Sequence, residues 1–183
     1  AGILDGASKG EIGLIWLLGA DEIEMARLGQ AFVVYQGHHG DAGAHRADVI
    51  LPGAAYTEKE GTWVNTEGRA QAGLRVVFPP GEAREDWAIL RAFSQVIGKT
   101  LPYDNLDQLR ARMHAVAPAL AAIDVVAPGE MGPFGIEGPM DAAPFESPVK
   151  DYYLADAICR ASAVMAECSQ LFVAGKGATG TDG

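Results

Sequence analysis

Apolar positions along the chain follow two regimes. Up to Pro52 they form short unbroken runs, and beyond Pro80 they recur at helical spacing. Ile12-Gly13-Leu14-Ile15-Trp16-Leu17-Leu18, Ala31-Phe32-Val33-Val34-Tyr35-Gln36 and Asp48-Val49-Ile50-Leu51-Pro52 are the runs. Their length and continuity predict strands covered on both faces, as in a parallel sheet. Between them, Asp21 is placed to cap a helix over Glu22 to Leu28, stopped by Gly29. The loop Gly37-His38-His39-Gly40-Asp41-Ala42-Gly43 leads to a short helical turn over Ala44 to Ala47. Strand, helix and strand at this spacing imply right-handed crossovers in a doubly wound α/β sheet.

Gly61 to Arg69 reads as an extended segment with a tight turn at Gly68, and Val76-Val77-Phe78 as a further short strand. A helix is predicted over Arg84 to Ile97. Trp87, Leu90, Phe93, Val96 and Ile97 form its apolar stripe, Arg84, Glu85, Arg91 and Gln95 face away, and Gly98 sits at the cap. Asp104 is placed to cap a second helix through Val116, which Pro118 ends. Ala121 to Ser147 is rich in Pro, Gly and Ala and reads as an irregular linker. Ser147-Pro148 then opens a helix to Leu171 with Ile158, Ala161, Met165 and Cys168 on one stripe. The domain expectation is an α/β domain over 1–120, a linker over 121–147, a helix over 148–171 and a disordered tail over 172–183. With no initiating Met, the start reads as a chain entered in mid-domain.

Charge narrows the function classes. A net charge of −10, with 14 scattered basic residues, opposes a nucleic acid partner. No apolar run reaches the ~18 residues of a membrane helix, so direct membrane insertion is not expected. Cys159 and Cys168, taken on one helix, point about 180° apart and are set ~13 Å apart along its axis, too far for a mutual disulfide. Two thiols are also too few for a four-ligand iron–sulfur site.

His38, His39 and His45 lie near Asp41 and Asp48. Imidazole and carboxylate suit zinc, yet no helical pair or familiar ligand spacing joins them. The loop is read as solvated, with a binding role at the sheet's C-terminal edge as the alternative. Gly98-Lys99-Thr100 ends a helix rather than opening one, the wrong end for phosphate. The GxGxxG match at Gly175 to Gly180 has no helix after it. Glu58, Glu60 and Glu67 lack a partner base or nucleophile at defined spacing, and Arg69 is expected to neutralise such carboxylates within the loop.

One stretch is far more specific. Ala47-Asp48-Val49-Ile50-Leu51-Pro52, then Glu58-Lys59-Glu60-Gly61-Thr62-Trp63-Val64-Asn65-Thr66-Glu67-Gly68-Arg69-Ala70-Gln71, then Pro79-Pro80-Gly81-Glu82-Ala83 with Asp86-Trp87, resembles the molybdopterin oxidoreductase superfamily. Within it, Val33 to Asp41, Leu51 to Lys59, Thr100 to Asp104 and the helix around Tyr152 to Cys168 resemble the large iron–sulfur subunit family of respiratory NADH:quinone oxidoreductase (complex I). Departures are local: Gly61-Thr62-Trp63 is closer to the catalytic relatives, and Ala121 to Ser147 matches no named motif.

That resemblance implies a partial doubly wound, mostly parallel sheet followed by a linker and a C-terminal helix. It implies a redox-silent segment supporting the peripheral arm of a multisubunit enzyme, with Gly37, His38, His39, Asp41, Asp48, Pro52, Glu58, Gly61, Asn65, Glu67, Gly68, Arg69 and Trp87 as structural signature residues rather than catalytic, cofactor or metal ligands. The [2Fe-2S] and [4Fe-4S] clusters of the family are implied to lie in an N-terminal region outside this sequence. Partners implied are that region and other peripheral-arm subunits, at the cytoplasmic face of a bacterial inner membrane or the matrix side of a mitochondrial one. The alternative is a fragment of a catalytic molybdenum enzyme such as a formate dehydrogenase. Its relatives typically continue into a β-rich domain, where helices and a linker are expected here.

Overall fold

In a computed structural model, residues 2–133, 135–145, 147 and 149–174 are described. The expected tail from Gly175 and its glycine motif lie outside them. The chain divides into two compact units, Ala1–His38 with Ala42–Pro128, and His39–Asp41 with Gly129–Gly183.

The first unit is built on three parallel strands, β1 (Leu14–Leu18), β2 (Phe32–Gly37) and β3 (Val49–Pro52), in that spatial order. Leu14 pairs with Phe32 and Val34 with Val49. The three apolar runs are therefore strands, as their continuity predicts. One face carries the main core: Ile15, Leu17, Val33 and Tyr35 pack with Ala7, Leu28 and Ala31, flanked by Leu4, Met25, Ala44 and Ala47. These come from α1 (Ile3–Ser8), a 3-10 turn at Met25–Leu28, and α2 (Ala42–Arg46). The expectation of cover on both faces holds fully only for the middle of β2. Leu14, Leu18, Phe32, Val49 and Ile50 are exposed, because β1 and β3 are both edges here.

Helix α1 is not predicted by the sequence pattern. Its six residues are too short for a periodic signal, but Leu4 and Ala7 turn onto the core and the Ser8 hydroxyl donates to the Arg27 carbonyl at 2.9 Å. The helix expected over Glu22 to Leu28 contracts to the 3-10 turn. Asp21 is buried and accepts from the Gly43 N–H at 3.3 Å instead of capping its own segment.

Beyond β3 the chain at Arg84 runs alongside its end, with Ala54 N–H donating to Arg84 O at 2.8 Å and Arg84 N–H to Pro52 O at 3.0 Å. A hairpin of β4 (Gly61–Val64) and β5 (Ala70–Gly73) interrupts this path. Val76 to Phe78 is not a strand: no neighbouring strand pairs with it, and its side chains are exposed.

Helix α3 (Asp86–Val96) lies against the second face of the sheet, where Phe93 meets Trp16 edge-on at 4.8 Å. Its expected stripe is only partly right. Val96 and Ile97 are exposed and Ser94 is buried. The Ser94 hydroxyl donates to Arg91 O at 2.6 Å and accepts from Leu101 N–H at 3.0 Å, so the helix end is fixed by hydrogen bonding. Arg91 does not face away freely either: it donates to Tyr103 O at 2.8 Å and pairs with Asp104 at 2.6 Å. With Asp104 so engaged, Asn105 caps α4 (Leu106–Val116), accepting from Gln108 N–H at 2.9 Å.

The second unit corrects the expectation of one helix from Val149 to Leu171. It holds a 3-10 turn at Tyr152–Leu154, α5 (Ala157–Ala161) and α6 (Ala163–Phe172). Asp151, Asp156 and Ser162 each turn a side-chain oxygen onto a following backbone N–H. Such local caps compete with helix propagation, and Ser162 is extended at φ −87°, ψ 120°. Cys159 and Cys168 are free thiols on different helices, so the one-helix spacing argument does not apply. Phe172 belongs to α6 rather than to a tail.

Two outcomes follow from local geometry. Gly29 and Gly10 both have positive φ, 56° and 75°, but only at Gly29 would a Cβ meet backbone, the Ala7 carbonyl oxygen at 2.8 Å. Gly10→Ala is expected to cost about 1 kcal/mol and Gly29→Ala about 2–3 kcal/mol in urea unfolding. In α5, the Cys159 backbone N–H and thiol, with further help from Ile158 N–H and Arg160, lower the Asp156 pKa below 3.8, while the same carboxylate raises that of the Cys159 thiol above 9.0. The cap is thus at full strength above the ordinary Asp range and is lost as pH falls below it. Asp156→Asn should accelerate iodoacetamide alkylation of Cys159 at pH 8 by raising its thiolate fraction.

Candidate functional site

A cleft of about 590 Å³ opens at the carboxyl ends of the parallel strands, lined by Leu18, Gly19, Gly37, His38, Tyr56, Lys59, Trp63 and Asp86. This is the edge at which open α/β sheets place ligands. The strands end there in glycines: Gly19 has φ 60°, and a Cβ on Gly37 would collide with the Tyr35 ring at 2.4–3.0 Å.

The floor of the cleft is a polar network. Gln36 is fully buried. Its amide oxygen accepts from the Trp16 indole N–H at 3.2 Å, and its amide nitrogen donates to Asp86 Oδ1 at 2.9 Å. The other Asp86 oxygen pairs with Lys59, whose side chain is largely enclosed. Each charge and dipole therefore has a partner within the chain, which a low-dielectric site demands. Gln36, Lys59, Asp86 and Trp16 appear in the sequence only as letters of longer runs. The available signal is Gln36 itself, a polar side chain ending a strand otherwise buried on both faces, where an unpaired amide is costly.

A molybdopterin group, which only the alternative of a catalytic molybdenum enzyme would require, does not fit these residues. Its phosphates need uncommitted cations or a cradle of N–H donors. Among the described residues, Lys59 is the lysine or arginine lining the cleft and is neutralised by Asp86, and no thiol lines it to ligate the metal. Cys159 and Cys168 likewise provide half of the four ligands an iron–sulfur cluster takes. Among the described residues, no group of three or more His, Cys, Asp and Glu is placed to hold a metal ion.

All the signature residues but His39, Asp41 and Trp87 fall into three sets. Gly37 and His38 line the cleft. Asp48, Pro52 and Glu58 hold backbone: Asp48 accepts from Val33 N–H at 2.7 Å, Pro52 O from Arg84 N–H, and Glu58 from Ala55 N–H at 2.9 Å. Gly61, Asn65, Glu67, Gly68 and Arg69 form the hairpin. Asn65 Oδ1 accepts from the N–H of Glu67 and of Arg69, each at 3.0 Å, and Gly68 turns at φ 83°. The Trp63 indole lies across the paired Gly61 and Gly73, where a Cβ on Gly73 would come within 2.6 Å of it.

Arg69 pairs with Glu67 at 3.3 Å and donates to Asp124 O at 2.8 Å. It does not serve all three acids. Glu60 pairs with Arg110 at 3.1 Å, and Glu58 is held by backbone. Trp87 is apart from the cleft lining, its indole N–H donating to Glu85 at 2.6 Å. His39 and Asp41 belong to the second unit, where Asp41 pairs with Arg160.

The family model for Molybdopterin oxidoreductase matches residues 2–96, and that for the C-terminal part of the G-type subunit of NADH-ubiquinone oxidoreductase matches residues 126–168. The chain is similar to the mitochondrial NADH-ubiquinone oxidoreductase 78 kDa subunit of Neurospora crassa, 49% identical over 164 residues, which is 85% of this chain and 22% of that protein. It is 45% identical over 174 residues to the NADH-ubiquinone oxidoreductase 75 kDa subunit of Reclinomonas americana, 90% of this chain and 24% of that one. It is 48% identical over 161 residues to the mitochondrial NADH dehydrogenase [ubiquinone] iron-sulfur protein 1 of Solanum tuberosum, 86% of this chain and 22% of that one. The chain thus spans about a quarter of the length of these relatives or slightly less.

Replacing Gln36 by Leu keeps the volume of the floor but strips the Trp16 N–H and the Asp86 carboxylate of a partner. Chemical denaturation is expected to show a loss of about 1–3 kcal/mol. Unchanged stability would mean that the network is not the constraint described.

Proposed function

This chain belongs to the molybdopterin oxidoreductase family, and we propose that it is the C-terminal segment of the large iron–sulfur subunit of an NADH:quinone oxidoreductase, acting as a redox-silent scaffold. The carrying observation is continuity of similarity: 45–49% identity over 85–90% of the chain to subunits of that one enzyme. The match of residues 126–168 to a C-terminal family model of the same enzyme supports this reading over the later part of the chain. The self-neutralised cleft supports the absence of a redox group here. On this reading the clusters belong to the remainder of the longer protein, and the signature residues are structural.

The partners are other subunits of the peripheral arm. The segment sits on the side of the membrane where NADH is oxidised, cytoplasmic in a bacterium or matrix in a mitochondrion. No helix among the described residues is long and apolar enough to cross a membrane, which agrees with peripheral attachment. A formate dehydrogenase origin is not favoured, because those relatives and the later family model all name NADH-ubiquinone oxidoreductase.

The test is affinity capture of the full-length protein from its own cells. NADH-dependent quinone reduction, bound iron and no stoichiometric molybdenum are expected in the captured assembly. Lys59→Ala is expected to lower the yield of assembled enzyme while leaving turnover per assembled enzyme within about twofold, since a scaffold residue alters amount rather than the chemical step. Formate-dependent turnover with bound molybdenum would replace this reading.

A further inference from the structure

Gly129 to Phe145 lies wholly in the second unit and contains no helix or strand among its described residues. Met131, Ile136, Met140 and Phe145 are 87%, 99%, 96% and 108% exposed. A set of large apolar side chains this open, close together in one segment, marks an interaction surface. Each has an acid beside it in sequence: Glu130-Met131, Ile136-Glu137, Met140-Asp141 and Phe145-Glu146. No Lys or Arg occurs from Val126 to Val149, while Pro128, Pro133, Pro139 and Pro144 punctuate the run. Proline fixes φ and biases the residue before it to extended backbone, which reduces the ordering cost of docking.

The charge of the segment selects its partner. Anionic lipid and nucleic acid phosphates would both repel it. A second copy of the chain is a poor receptor, because the net charge is −10 and at least nine of the 14 basic residues are paired with the chain's own acids.

We propose that Met131, Ile136, Met140 and Phe145 are the anchors of a docking strap and seat in an apolar groove of a separate polypeptide, rimmed by Lys and Arg. This rests on reading the chain as part of a multisubunit assembly. In a bound, extended form at ~3.1 Å per residue, successive anchors would lie about 12–16 Å apart and the first and last about 43 Å apart. The apolar side chains hold the strap in place, and the neighbouring acids set its register and orientation.

The experiment uses the assembly purified through a tag on the full-length protein. One variant carries Ile136→Ser, Met140→Ser and Phe145→Ser; a second carries Glu130→Lys, Glu137→Lys and Asp141→Lys. Both should raise the concentration of half-dissociation from a neighbouring subunit about 10- to 100-fold, the second more steeply at low salt. Neither should move the unfolding midpoint of the full-length protein, because the altered side chains are exposed. A benzophenone side chain at position 136 should cross-link to a Lys- and Arg-rich segment of another subunit. Wild-type retention of both variants, or cross-links confined to the same chain, a second copy or lipid, would overturn the strap and leave the scaffold reading intact. If the unaltered protein joins no multisubunit assembly, both readings fail.

Discussion

The first unit depends on the buried amide of Gln36. It ends the central strand at a point where the sheet, α3 and the segment leading into the hairpin converge. A carboxamide has both an acceptor and a donor end, and here each is used in a different direction, toward Trp16 on β1 and toward Asp86 at the start of α3. Lys59 then ties the hairpin's approach to the same carboxylate. An apolar residue at position 36 would pack but would not fix where α3 begins. The geometry is demanding because a partly satisfied polar network is costlier than none.

This network also decides the chemistry of the carboxyl edge. In an open α/β sheet that edge is exposed to ligands by topology. Its capacity for an anionic cofactor depends on uncommitted positive charge, and Lys59 is committed. The glycines at the ends of β1 and β2 leave room for close approach, while the lysine lining the cleft is held by Asp86. On the scaffold reading proposed above, the fold serves as architecture. The sheet, crossovers and hairpin are held by backbone ladders and by the side-chain oxygens of Asp48, Glu58 and Asn65, none of which needs a cofactor in place.

Legibility in the sequence follows the range of the interactions. The three strands are visible because burial on one or both faces leaves an unbroken apolar run whatever surrounds it. The hairpin turn is visible because Gly68 and the Asn65 ring of hydrogen bonds are local in sequence. Val76 to Phe78 has strand composition but no neighbour to pair with, and pairing is not encoded within three residues. At Val96 and Ile97 the helical stripe outruns the surface that α3 covers. The last helix is hidden for a different reason: Asp156 and Ser162 are ordinary polar letters in a periodic pattern until their side chains are seen to accept from backbone N–H groups. The Gln36–Asp86 contact joins positions fifty residues apart, beyond any spacing argument.

The excess of acid over base has a structural consequence beyond solubility. Five of the eight paired arginines bind an acid ten or more residues away: Arg27 with Asp5, Arg75 with Glu85, Arg91 with Asp104, Arg110 with Glu60 and Arg160 with Asp41. Individually such exposed or half-exposed pairs add little stability, yet with Lys59 they engage at least nine of the 14 basic residues. The acids outnumber what is left, so the charge that remains is predominantly negative. If the chain is a segment of a larger assembly, as proposed, that asymmetry would act as a selection rule. Self-association brings like charges together, whereas a basic neighbour is steered in at long range before any apolar side chain makes contact. Affinity then depends on where large apolar side chains remain open, and among the described residues they are most open between Met131 and Phe145. Fold and the proposed partner choice are therefore separable in this chain. The first is fixed by buried hydrogen bonding around Gln36, and the second would be set by the excess of acid and the open apolar side chains.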